Sequence, residues 1–293
     1  MDVEAVGRMC VSLHRLGNSQ EMKAKKILFI TQAMVPFVPE DEKSIMGRYL
    51  PQSIQELGHE IRTFTPKWGI INERRNQLHE VIRLSGMNII IDDTDHPLII
   101  KVASIPQARM QIYFIDNDDY FTKRQMIFDE DGKEYKDNGE RAIFFARGVL
   151  ETVKKLRWVP DVVHCHGWVT ALAPLFIKKA YADEPSFAET KVVFSASSPE
   201  FSNDLGELTR NCIPFRDAKL SDVVDVCSEK FGYDELQKIA IKFSDGVVLD
   251  DEKVNTEVVD YAKSLGLPVL PYQGEDYKDA YHEFYEQVMG GEE

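Results

Sequence analysis

The residues whose types and spacing most invite chemistry are His164 and His166, which flank Cys165 at the end of a predicted strand. In a strand, residues i and i+2 share a face, so both rings are predicted to look into one space. Two imidazoles could begin a zinc site, but zinc takes three or four ligands and no third follows at recognisable spacing. A hydrogen-bonding role in a polar cleft and a plain structural role stay open. A second constellation is Asp93-Thr94-Asp95, after another apolar run. Its carboxylates suit a divalent cation and equally a polar turn, with Pro97 close by. Neither constellation is assigned a metal, and no cofactor is expected. Third, Tyr135-Lys136-Asp137-Asn138 reads as a loop at a cleft. It sits among Tyr113, Phe114, Tyr120, Phe121, Phe128, Phe144 and Phe145. Sugars stack on aromatic faces beside carboxylates and amides; core packing is the alternative, above all for Phe144 and Phe145.

These residues need elements to hold them. Lys26 to Thr31 is a continuous apolar run, as expected of a strand buried on both faces. Ile45, Tyr49, Leu50, Ile54 and Leu57 recur at helical spacing, with Pro51 expected to kink that helix. Gly58 closes it, and Glu60 to Thr65 is the next strand, so a parallel βαβ unit opens the fold. Asn88–Ile91, Leu98–Ser104 and Gln111–Ile115 read as an antiparallel excursion at one edge. A helix presenting Ile143, Ala146, Leu150 and Val153 follows, then a strand from Val162 to Cys165, a helix over 168–180 and a strand from Val192 to Ala196. Residues 197–230 show no period and read as a long functional or poorly ordered loop. Helix faces then recur at Leu236, Ile239, Ala240 and Phe243, at Val254, Val258, Tyr261 and Leu265, and at Tyr281, Phe284, Tyr285 and Val288. Strands Gly246–Leu249 and Pro268–Leu270 lie between them.

The alternation predicts an α/β fold: a Rossmann-like, doubly wound, mostly parallel sheet with helices on both faces. Residues 1–21 read as a loose extension, with Met22 as a candidate natural start, and 22–293 as one domain. Ligands of such sheets bind outside the carboxyl ends of the strands, which directs attention to the residues just after Thr31, Cys165 and Ala196. A nucleotide site in the first of these loops needs glycines, so that backbone N–H groups can approach phosphate. The loop instead reads Gln32-Ala-Met-Val-Pro-Phe-Val-Pro-Glu40-Asp41-Glu42-Lys43, without glycine. Three carboxylates there favour a helix N-terminus and oppose a diphosphate: one like-charge pair at 4 Å costs ~4 kcal/mol at an effective dielectric near 20.

The 293 residues carry 35 Lys and Arg against 49 Asp and Glu, a net charge of −14. Nucleic acid is bound through basic clusters with counterion release, so nucleic acid is rejected as a partner, and an anionic membrane with it. Four cysteines without a CxxC pair fit reduced thiols in a cytoplasm. No apolar run reaches the ~20 residues of a membrane span.

Several segments together resemble the N-terminal catalytic domain of ADP-glucose-dependent glycogen/starch synthases, half of a GT-B architecture. Lys26-Ile-Leu-Phe-Ile-Thr with Val35-Pro-Phe37 is similar to that family's opening strand. Leu50-Pro51 through Leu57-Gly-His-Glu-Ile-Arg62 is similar to its first helix and second strand. Further matches are Tyr113-Phe-Ile-Asp116 with Tyr120-Phe121 and Arg124, Tyr135-Lys-Asp137-Asn138-Gly-Glu-Arg141 with Phe144-Phe145, and Pro160-Asp-Val-Val-His164-Cys-His166-Gly-Trp168-Val-Thr170-Ala171. The resemblance implies a place in glycogen biosynthesis, where the family transfers glucose from ADP-glucose to an α-1,4-glucan. It implies substrate-binding roles for Tyr135, Asp137, Asn138, Arg141, His164, His166, Trp168 and Thr170. Three departures bear on activity. The family's Lys-Thr-Gly-Gly-Leu is replaced by Pro39-Glu40-Asp41-Glu42-Lys43. Its Asp after the second histidine is Gly167. Its donor-contacting histidine falls at Ser197, within Phe194-Ser-Ala-Ser-Ser198. The chain is also expected to stop where the nucleotide-gripping second domain would begin. The expectation is therefore a glucan-binding protein, inactive alone, with ADP-glucose a doubtful ligand. A protein partner or a homo-oligomer would supply the second domain. The alternative is a scaffold domain that binds a protein partner and no sugar.

Overall fold

The computed structural model describes residues 24–290, so the predicted extension over 1–21 and the candidate start at Met22 lie outside the described residues. β1 (Lys26–Thr31) pairs in parallel with β2 (Glu60–Pro66) on one side and β7 (Val162–His166) on the other. β8 (Lys191–Ala196), β9 (Gly246–Leu249) and β10 (Val269–Leu270) extend the parallel sheet beyond β7. Beyond β2 lies parallel β6 (Met110–Asp116), and there the direction changes. β5 (Thr94–Ile105) runs antiparallel to β6, and the two-residue β3 (His79–Glu80) and β4 (Met87–Ile91) both pair with β5. The predicted edge excursion is present. Its Asp-Thr-Asp segment begins the strand after a tight hairpin whose turn residues Asp92 and Asp93 both have positive φ (48° and 58°). That left-handed pair is what a two-residue hairpin demands, so the segment sits at an exposed hairpin tip.

Both faces of the sheet are covered. Ile27 and Phe29 point with Val162, Val193 and Val248 to the side packed by α1 (Glu42–Glu56) and by the terminal helix (Tyr277–Val288). Leu28 and Ile30, one residue out of phase, enter the larger core with α2 (Asn138–Leu156). This period-2 split is why β1 reads as uninterruptedly apolar. The remaining longer helices are α3 (Gly206–Cys212), α4 (Tyr233–Lys242), α5 (Thr256–Ser264) and the terminal α6. α1 runs unbroken with Pro51 inside it. It approaches the first loop so closely that a Cβ on Gly47 would lie 2.1 Å from the Ala33 carbonyl oxygen.

Two expectations need correction. The helix predicted over 168–180 is a 3-10 turn at Trp168–Thr170, a single turn at Ala173–Leu175 and a wide π turn at Phe176–Ala180. Pro174 supplies no N–H for a continuous ladder, and the Thr170 hydroxyl turns back to donate to the Gly167 carbonyl. Residues 197–230 hold α3 and a short turn at Val224–Cys227. They are stitched by Asp204, which accepts from the N–H groups of Gly206 and Phe231, and by Arg210, which donates to the carbonyls of Cys227 and Ser228. Among the described residues no helix is long and apolar enough to cross a membrane.

Candidate functional site

The carboxyl ends of β1, β7, β8 and β9 meet in a crevice, and the residue after β1 organises it. The Gln32 N–H donates to the His166 carbonyl (2.9 Å) and its own carbonyl accepts from Trp68 Nε1 (2.7 Å). Its side-chain Oε1 accepts from the Trp168 N–H (3.0 Å), while Nε2 donates to Glu200 Oε2 (2.7 Å). This placement depends on Gly167. That residue has φ +94°, and a Cβ there would come within 2.4 Å of Gln32 Cβ. Glycine permits both the backbone angle and the close approach.

Lys43, in the first turn of α1, leans into the same crevice. Its Nζ donates to Glu200 Oε1 (2.8 Å) and to Ser197 Oγ (2.7 Å). The Tyr233 hydroxyl, from α4, lies 2.7 Å from Ser197 Oγ and 3.1 Å from Glu200 Oε1. A consistent assignment closes a ring: Lys43 donates to Ser197, Ser197 to Tyr233, and Tyr233 to the carboxylate that also neutralises Lys43. Lys43 and Glu200 side chains are 18% and 19% exposed, so the ion pair is partly shielded from water. Asp41 is occupied as the N-cap of α1. Its carboxylate accepts from the Ser44 N–H and its own N–H donates to Ser44 Oγ, a capping box. Asp251 likewise accepts from the N–H groups of Ser198 and Lys253. The mouth of the crevice is an open bowl of about 610 Å³. Asp41, Glu42, Glu200, Asp251 and Glu252 line it against Lys43 and Lys253, with Tyr272 at the rim.

The two histidines do share a face, as their spacing predicts, but their surroundings differ. His166 sits at the crevice floor between Asp250 Oδ2 (3.0 Å) and Thr31 Oγ1 (3.2 Å). Burial pushes the Asp250 carboxyl up, yet the charge and hydrogen bond of His166 outweigh this and hold it below the usual range. His164, one turn of the pleat deeper, is sealed beneath α6. Its Nδ1 meets Tyr285 OH (2.6 Å) and its Nε2 meets Ser195 Oγ (2.8 Å). Burial first, and then His166, pulls its pKa down to about 3, which keeps the ring neutral at physiological pH.

The other sequence-predicted residues form a separate cage around Arg141. Its guanidinium donates to the carbonyls of Tyr120, Gln125 and Met126 and to Asn138 Oδ1. It packs over the rings of Trp68, Phe121 and Tyr135 at 5.0, 5.7 and 4.9 Å. Asp137 forms a bidentate pair with Arg124 (2.7 and 2.6 Å). Burial raises the Asp137 pKa, but Arg124 more than offsets this and lowers it overall. Asn138 Nδ2 donates to the Ile127 carbonyl. The cage thus pins the 117–137 loop, and Glu134 ties that loop across to the N–H groups of Ser202 and Asn203. Trp168 lies beneath, 1% exposed, edge-on to Phe201, with its indole N–H unpartnered. Thr170 is buried and bonded to Gly167.

Of the eight sequence-predicted residues, His166 alone stands at the crevice. Gln32, Lys43 and Ser197 lie where the sequence directs attention, after β1, in the first loop and after β8, whereas Glu200, Tyr233, Asp250 and Asp251 build the crevice without having been singled out. Asp250 was within reach, because it follows β9 as the flagged positions follow β1, β7 and β8. Glu200 and Tyr233 carry no local signal.

A family model described as the starch synthase catalytic domain matches residues 26–270. A glycogen synthase from Chlorobium limicola is 37% identical over 171 residues, which is 58% of this chain and 35% of that protein. That of Chlorobaculum tepidum is 38% identical over 169 residues, 57% of this chain and 35% of that one. That of Chlorobium phaeovibrioides is 33% identical over 205 residues, 70% of this chain and 40% of that one. The chain therefore spans between 35% and 40% of the length of these relatives. The solved catalytic domain of starch synthase IV from Arabidopsis thaliana, bound to ADP and acarbose, matches 85% of this chain and 51% of its own at a TM-score of 0.67. With 16% identity, that likeness speaks for the fold. The segments that resemble glycogen/starch synthases, the mostly parallel α/β sheet and the match over 26–270 agree, and this chain belongs to the starch synthase catalytic-domain family.

Proposed function

We propose that this chain serves cytoplasmic α-glucan metabolism as a glucan-binding domain whose crevice does not take up a sugar nucleotide by itself. The Lys43–Glu200 contact carries this reading. The cation that reaches the crevice is already neutralised, and a diphosphate entering the bowl would face five carboxylates with two ammonium groups in return. An anion brought within about 4 Å of one of these carboxylates is repelled by ~4 kcal/mol at an effective dielectric near 20. A neutral glucan has the opposite character: its hydroxyls donate to carboxylates, and the exposed Tyr272 ring offers a stacking face. His166 keeps a sugar-binding role at the floor; Tyr135, Asp137, Asn138, Arg141, His164, Trp168 and Thr170 are assigned the positioning of that floor and its roof. Glucosyl transfer from ADP-glucose, the family reaction, is assigned to an assembly in which a partner domain or a second copy grips the nucleotide.

The test is co-sedimentation with glycogen and calorimetry with a maltooligosaccharide, using wild type and Tyr272→Ala. Saturable binding that the variant weakens supports the reading. Absence of glucan binding by a folded wild type would remove it. The second reading, a scaffold that contacts a protein partner and no sugar, draws on one observation. The Trp168 ring and the Arg141 cage spend their faces inside the molecule, and the Arg141 guanidinium its hydrogen bonds.

A further inference from the structure

The opposite end of the sheet holds a cavity of about 220 Å³ between the amino ends of β2 and β6. The β2–β6 ladder begins at Thr63 and Ile112, so Arg62 and Gln111 lie just ahead of the first paired residues. Arg62, Arg109, Gln55 and Gln111 face this space, together with Tyr113 and Glu60.

Neither of these two arginines pairs with a carboxylate of the described residues. Among the described residues, the arginines that pair with a carboxylate are Arg124, with Asp137, and Arg216, with Glu151. Arg62 packs its guanidinium 5.0 Å over the Trp158 ring, and its Nη1 is buried without a hydrogen-bond partner. A buried, unpaired guanidinium N–H forfeits its hydration and gains nothing for it. In a chain of net charge −14, carboxylates are plentiful enough to have supplied a partner. The one carboxylate lining the cavity, Glu60, instead accepts from Trp158 Nε1. The Tyr113 hydroxyl donates to Gln111 Oε1 (3.1 Å), which leaves the Gln111 amide N–H groups free to donate.

We propose that this cavity is a phosphate site. Two guanidiniums against the Glu60 carboxylate leave the cavity one net positive charge, and each guanidinium is a planar fork suited to phosphate oxygens. The Gln55 and Gln111 amides supply neutral donors to the remaining oxygens. The site lies across the sheet from the crevice and is independent of the glucan reading.

Isothermal titration with inorganic phosphate, in 150 mM sodium chloride so that the overall negative charge is screened beyond ~8 Å, tests the proposal. Wild type should give saturable heat that sulfate competes away and acetate does not. Arg109→Gln, an exposed change that leaves the fold intact, and Arg62→Gln should each weaken binding at least tenfold. Arg62→Lys, which keeps the charge and loses the fork, should also weaken it. No saturable heat with wild type, or affinity unchanged in both Arg→Gln variants, would overturn the proposal.

Discussion

The Arg141 cage and the Lys43 crevice each hold one cation near the carboxyl ends of the strands, and they hold it in different ways. Arg141 is fully buried and satisfied by three neutral carbonyls, an amide and three aromatic faces. Lys43 is partly exposed and satisfied by a carboxylate and a hydroxyl. Removal of a cation from carbonyls leaves buried acceptors unpaired; removal of the partly buried Lys43–Glu200 pair at the edge of the open bowl leaves groups that water can reach from the bowl. The cage is therefore a structural clamp. The crevice is a surface whose charge can change at little cost to the fold, which makes it the place where specificity can be set.

That contrast can be broken by substitution. Arg141→Met should cost about 3–5 kcal/mol in urea unfolding, because several buried acceptors lose their donor together. A loss below about 1.5 kcal/mol would mean that water replaces the guanidinium and that the clamp is not one. Gly167→Asp restores the residue type of the resembled family and should cost about 2–3 kcal/mol, from the left-handed φ and the displaced Gln32 side chain. Retention of full stability would show that Gln32 moves aside freely and that the crevice floor is plastic.

His164 gives a pH test of the same floor. Its folded pKa, about 3, lies below the unfolded value near 6.5, so the unfolded chain binds the extra proton between those pH values. Its contribution is complete above about pH 6.5 and declines as pH falls, by about 2 kcal/mol between pH 7 and pH 5. His164→Gln should flatten that part of the stability–pH profile; an unchanged slope would place the titration elsewhere. Glu200→Gln should have the smallest effect, within about 1 kcal/mol of wild type, because the amide keeps an acceptor for its neighbours and the partly buried Lys43 borders the open bowl. A larger loss would make the crevice as structural as the cage and erase the distinction.

The sequence reveals these two regions unequally. The strands are legible because burial on both faces leaves apolar runs in β1 and β8 and a Val-Val start to β7, and the terminal helix because Tyr281, Phe284, Tyr285 and Val288 repeat at helical spacing and are all buried. The cage is legible as a constellation, since Tyr135 to Arg141 are neighbours in the chain, although their contacts turn inward. The crevice is not. Gln32 meets Glu200 across 168 residues and Lys43 meets Ser197 across 154, and no local pattern encodes such pairing. Periodicity extends the 168–180 stretch as helix because it does not register the cost of Pro174 and the Thr170 back-bond.

Titration of the isolated chain with ADP-glucose measures the central claim, that Glu200 and its acidic neighbours leave Lys43 with no charge to offer a nucleotide. The account predicts no saturable heat with wild type at millimolar ligand. Saturable binding that disappears in Lys43→Ala would contradict it.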